Sequence, residues 1–227
     1  MGGVCLSVVK AIFLKELKVE FRNKQMIVTS FILSVMIIAS FRFAFSMLEM
    51  SLNSIAAPVI WITFFFSGMF TLSLTYRREI DEGTLDGLLL APISPSSIFF
   101  GKFLANLLVM FILEMFSLVL FFAFFPVDTP DIPALLTLIV LGTVGFAAMG
   151  NLISAISSKV AYSAVMLPVL LVPILLFTIV MSAVTGTAQI FSGGNISDVA
   201  NEIKFILAFD VVFIAMGYLL ADYILEA

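Results

Sequence analysis

The chain has 227 residues, 62% of them hydrophobic and 11% charged, with a formal net charge of -4. That balance excludes a soluble globular domain and points to a polytopic membrane protein with little mass outside the bilayer. The absence of His removes the commonest metal and haem ligand and the usual general base, and the single cysteine, Cys5, leaves no internal disulfide or cysteine-built zinc cluster.

Residues 1–7 lack a basic start, so no cleavable leader is expected. Residues 10–24, KAIFLKELKVEFRNK, place Ile12, Phe13, Leu17 and Phe21 at helical spacing among Lys15, Glu16, Lys18, Glu20, Arg22 and Lys24. This pattern predicts an amphipathic helix lying in the headgroup plane, apolar face down.

Six apolar runs follow, at 26–48, 57–74, 102–125, 132–156, 161–184 and 203–224. Each is near the roughly 20 residues that a helix needs to cross a hydrocarbon core of about 30 Å. Trp61 reads as an interface anchor near the outer end of the second run. Gly142, Gly145 and Gly150 in the fourth suit close helix contact, and Pro168 and Pro173 predict a kink in the fifth. Residues 185–202 form the largest expected outer loop, too short to be a domain.

Lysine and arginine set the orientation. With the amino terminus inside, Lys10, Lys15, Lys18, Arg22, Lys24, Arg77, Arg78, Lys102 and Lys159 fall in inner segments. Arg42 and Lys204 do not. The asymmetry predicts that both termini are cytoplasmic; the membrane expected is the inner (cytoplasmic) one. The outer loops, around Glu49, Asp128, Asp131 and Asp198, are mostly acidic.

Charged residues inside the apolar runs are few, and three stand out. Arg42 is near enough to the outer face to snorkel. Asp210 lies about two turns into the sixth run. Glu114 sits halfway along the third, where a charge is costly. Either Glu114 lines a substrate path, or it is protonated or hydrogen-bonded to a neighbouring helix.

Charge concentrates in the loop between the second and third runs, residues 76–100, which opens YRREIDEGTLDGLLLAPISP. Such a segment between two spans must sit in water. Residues 84–90 read as a short helix with Leu85, Leu88 and Leu89 on one face and Pro92 stopping it. Gly83 and Gly87 weaken that helix by about 1 kcal/mol each, so it needs a surface to pack on. A soluble partner is the favoured surface; the alternative is a solvated loop resting on the membrane.

The sequence has no phosphate-cradling loop, no serine elbow and no metal-binding helix motif, so no enzyme activity is expected. The twelve methionines are scattered through the apolar runs, where packing is their ordinary role.

Several of these features together resemble the permease subunit of an ABC-2-type ABC transporter. More closely, the chain resembles the CcmB family, the haem exporter permease of cytochrome c maturation. The resemblance rests on FLKEL at 13–17, APVIWITFFFSGMF at 57–70, the stretch from Arg78 to Pro95 with Gly101 and Lys102 beyond it, GTVGFAAMGNLISAI at 142–156 and LPVLLVPILL at 167–176. It covers almost the whole chain, and the ordered set is more specific than the loop motif alone.

The resemblance implies an all-α permease of the ABC-2-type architecture, with six transmembrane helices after an N-terminal interfacial helix. It implies that the helix after the second span couples to a separate CcmA-like ATPase, which would bind the ATP; no cofactor is expected on this chain. Leu85, Leu88 and Leu89 would be the apolar contacts, Glu79, Glu82 and Asp86 the polar rim, and Gly83 part of the same element. It further implies a pair of permease copies and a CcmC-like haem-handling membrane protein. Two modes stay open: haem passes through the chain, or ATP work releases a haem chaperone from the partner. A lipid, polysaccharide or drug exporter and a non-transporting scaffold are the alternatives.

Overall fold

A computed structural model describes residues 5–22, 24–46, 51–73, 75–76, 79, 83–128, 130–158, 169 and 179–226. Among these the secondary structure is helical. The elements are α1 (Leu6–Arg22), α2 (Lys24–Ser46), α3 (Leu52–Ser73), α4 (Thr84–Leu89), α5 (Pro95–Phe124), α6 (Ile132–Ser158), α7 (Met181–Phe191) and α8 (Ala200–Glu226). Five of them, α2, α3, α5, α6 and α8, are long and apolar enough to cross a membrane. These match five of the expected runs. Most of the other, 161–184, lies outside the described residues, with Pro168 and Pro173, and its end from Met181 belongs to α7.

The core forms where α3 and α6 meet α5, α7 and α8. α3 and α6 are the most buried of the long helices, while α2 and α8 are mostly exposed and face outward. Glycine sets the close approaches. The ring of Trp61 lies against Gly142, where a Cβ would overlap it. Trp61 is buried, and its Nε1 donates to Thr187 Oγ1 at 2.9 Å. The expected headgroup anchor is therefore an interior residue that ties α3 to α7. An indole is large enough to fill the space a glycine leaves, and its one donor needs a partner once water is gone.

α5 has 30 residues, so it is about 45 Å long, longer than a hydrocarbon core. It starts at Pro95, seven residues before the expected Lys102. Proline at the first helical position loses no hydrogen bond there and has the right φ. Lys102 is consequently a helix-interior residue two turns in, not a flank. At the other end of α5, Arg42 Nε donates to the Phe124 carbonyl at 3.0 Å. The guanidinium satisfies a carbonyl that the helix end leaves free.

The expected loop at 185–202 is shorter in fact. α7 runs on to Phe191, and Gly193, at φ 91°, turns the chain out of the helix. Gly194 N closes this turn on Gln189 O at 3.0 Å, and α8 begins at Ala200. The α1 face also differs from expectation. Val9, Ile12, Glu16 and Glu20 are buried, whereas Phe21 is exposed. The reason is α5, not a flat membrane surface. α1 packs along α5, and Gly101 admits Ile12 so closely that a Cβ there would come within 2.6 Å of Ile12 Cβ.

Candidate functional site

The charged loop returns to the bundle at Glu79, and there it meets α1 and α5. Lys102 of α5 is fully buried. Its Nζ lies 2.8 Å from Glu16 Oε1 on α1 and 2.9 Å from Glu79 Oε2. It also donates to the Thr75 carbonyl at 3.2 Å and stands 4.9 Å above the Tyr76 ring. Lys15 of α1, half-exposed, pairs with Glu16 Oε1 at 2.9 Å and with Glu79 Oε1. Two cations and two carboxylates thus alternate in one neutral cluster.

A buried ammonium is tolerable only with such partners, because an unpaired charge away from water costs many kcal/mol. The electrostatics are consistent. Burial pushes the Glu16 carboxyl up, but the ammonium groups of Lys102 and Lys15 outweigh it and hold the group below the ordinary value. Lys15 is opposed by burial, yet its bond to Glu79 and the charge of Glu16 raise it. Tyr76, deeply buried and near Glu79, is pushed well up and stays neutral.

Beneath the ions lies a layer of neutral hydrogen bonds. Thr75 Oγ1 donates to Asn106 Oδ1 at 3.2 Å, and Asn106 Nδ2 donates to Asn151 Oδ1 at 3.1 Å. Asn151 Nδ2 reaches Phe99 O at 3.3 Å, and Ser154 Oγ reaches Leu72 O at 2.8 Å. The loop's root is therefore bound to α3, α5 and α6 as well as to α1.

α4 itself is one short turn pair. Gly83, at φ 65°, supplies the left-handed residue before it, and Thr84 Oγ1 donates to Glu79 O at 3.3 Å. Leu88 is half-buried against a small cluster of Ile12, Tyr76, Ile98 and Ala155. Leu90 is 86% exposed. Between α1 and α4 a cavity of about 370 Å³ is lined by Lys15, Glu16, Glu79, Thr84 and Leu88 among others.

Of the expected loop residues, Glu79 does not sit on an outer rim: it is buried and ion-paired. Leu88 packs inward in part. Glu82 lies outside the described residues, as do the side chains of Leu85, Asp86 and Leu89. Glu16 and Lys102 were missed as members of the cluster. The signal was present: Ile12, Glu16 and Glu20 share one helical stripe, and Ser94-Pro95 marks a helix start well before Lys102.

Glu114 lies apart, buried in α5 and bonded to Thr143 Oγ1 of α6. Thr143 also reaches the Ile139 carbonyl at 2.7 Å. The Thr143 hydroxyl donates to Glu114 Oε2 and is also in reach of the Ile139 carbonyl, so its one hydrogen is shared between two acceptors. Asp210 of α8 is buried against Gly145 of α6, and its carboxyl oxygens have no hydrogen-bond partner among the described residues. Among those residues no group of three His, Cys, Asp or Glu could hold a metal ion.

The family model described as CcmB protein matches residues 7–223. The chain belongs to the CcmB family. No curated protein matches it. Membership in CcmB makes this multi-pass membrane protein a permease component of the ABC system of haem export and cytochrome c biogenesis, a system that includes an ATPase. The match spans the α1 stripe, the charged loop and α5, so the ion cluster lies wholly within the CcmB region.

Proposed function

We propose that this CcmB protein converts ATPase motion into work on haem delivery, with α4 as the docking element and the ion cluster as the link into the bundle. The observation that carries the reading is the buried cluster of Lys15, Glu16, Glu79 and Lys102. It joins the loop that would bear on an ATPase to two helices by ion pairs, and a displacement of Glu79 would pull on both.

In this reading the loop faces the cytoplasm of an inner-membrane protein whose termini are both cytoplasmic. Leu85, Leu88 and Leu89 meet a groove on a CcmA-like ATPase, which holds the ATP. Glu82 and Asp86 give a polar edge, and Gly83 lets the chain turn into α4. Two copies of the chain work together, with a CcmC-like protein handling haem. Supporting this, α4 has only six residues and is followed at once by the largely exposed Leu90, so this segment leaves apolar surface for a partner. ATP work on a haem-bearing partner suits a chain that has no His to ligate iron.

Replacing Leu85, Leu88 and Leu89 together with Asp tests the docking. We expect the variant to insert normally, to lose the ATPase on co-purification, and to fail to restore holocytochrome c in a deletion strain. Normal ATPase yield with the variant would overturn the docking role. Normal holocytochrome c in the deletion strain itself would overturn the haem-delivery role.

A further inference from the structure

A groove of about 690 Å³ runs between α1, α5 and α6. Its walls include Leu6 and Phe13 of α1, Leu104 and Phe111 of α5, and Val140 of α6, and Lys10 is the one charged residue lining it among the described residues. From Leu104 to Phe111 the wall follows α5 for about 10 Å, from the level of α1 toward the middle of the helix.

Three observations define what fits there. First, two walls belong to helices long and apolar enough to cross the membrane, so the medium facing the groove is lipid. Water inside would find almost no hydrogen-bond partner. Second, Lys10 is exposed at α1 and pairs with no carboxylate among the described residues, unlike Lys15 and Lys102. Third, the groove cannot easily close. α1 is fixed on α5 by Ile12 at Gly101 and by Glu16 at Lys102, so Leu6 and Phe13 are held off Val140.

We propose that the groove is a phospholipid site: it holds one acyl chain of an anionic phospholipid, whose headgroup the Lys10 ammonium engages. The bound chain completes the packing of α1 on α5 and α6. The site thus makes the seat of α1, which carries half of the ion cluster, dependent on the surrounding lipid. An apolar slot supplies affinity for any acyl chain, and the cation supplies the preference for anionic headgroups.

The test is native mass spectrometry of the full chain with its ATPase, reconstituted from vesicles of equimolar phosphatidylglycerol and phosphatidylcholine and then released in mild detergent. We expect one tightly retained lipid per chain, with phosphatidylglycerol favoured about fivefold. Lys10→Gln should keep the lipid but bring the two headgroups to parity. Val140→Trp should fill the slot and lose the lipid, with size-exclusion elution unchanged. Equal retention of both lipids by the unaltered chain would overturn the proposal. So would undiminished retention by Val140→Trp, or a change from pair to single copy in that variant with lipid retention intact, which would make the groove a contact between copies.

Discussion

Lys102→Met removes the fully buried cation of the cluster and nearly preserves its volume. It leaves Glu16 and Glu79 facing each other with only Lys15, which is half-exposed. Breaking a buried ion group by deleting one member costs about 3–5 kcal/mol. Lys15 still touches both carboxylates, so the lower end, about 3 kcal/mol, is expected. For a chain of this size that corresponds to a fall in Tm of about 6–12 °C. The pH dependence should invert. In the unaltered protein Glu16 is held below its ordinary value, so its contribution is present above about pH 4.3 and is lost as the pH falls through the depressed folded value. In Lys102→Met, burial dominates and raises the Glu16 carboxyl, so the penalty is full at pH 8 and eases as the pH falls and the group protonates. Thermal unfolding in detergent micelles at pH 8 and pH 5.5 reads both effects. The combined variant with Glu16→Gln and Glu79→Gln should recover most of the loss, because no carboxylate is left without its ion. A variant as stable as the unaltered protein at pH 8, or one hurt more at pH 5.5, would refute the buried cluster.

Gly101→Val should force α1 off α5, since its Cβ alone would meet Ile12 at 2.6 Å. We expect much faster proteolysis within α1 with the other helices still protected, and unchanged protection of α1 would count against that packing. Glu114→Gln should leave holocytochrome c and protein level unchanged, because the amide oxygen accepts from the Thr143 hydroxyl as the carboxyl oxygen does. Loss of holocytochrome c at normal protein level would instead move Glu114 onto the substrate path.

Hydropathy alone located α2, α3, α5, α6 and α8, because a span must be apolar over its full length whatever it packs against. It could not say which polar residues meet. Lys102 counts as a flank in any such window, yet α5 begins at Pro95 and carries it inside. Glu16 reads as the wet side of an amphipathic helix until α5 brings Lys102 to that side. Trp61 looks like a headgroup anchor by type; only the facing Gly142 and Thr187, distant in sequence, make it an interior residue. Residues 185–191 lie beyond the fifth apolar run and so read as loop, yet they continue α7 to Phe191. The loop helix was legible from Leu85, Leu88 and Leu89, while the burial of Glu79 depends on its contact with Lys102, which lies in another element.

The most direct test of the central claim is cross-linking from Leu90→Cys, made in a Cys5→Ser background so that the chain has one thiol. Leu90 is exposed and directly follows α4. In inverted membrane vesicles containing the whole complex, a short thiol-to-amine linker should join this position to the ATPase, with a yield that changes when ATP is added. A thiol reached only from the opposite side of the membrane, or one that never joins the ATPase, would contradict the assignment of this loop as the input of mechanical work.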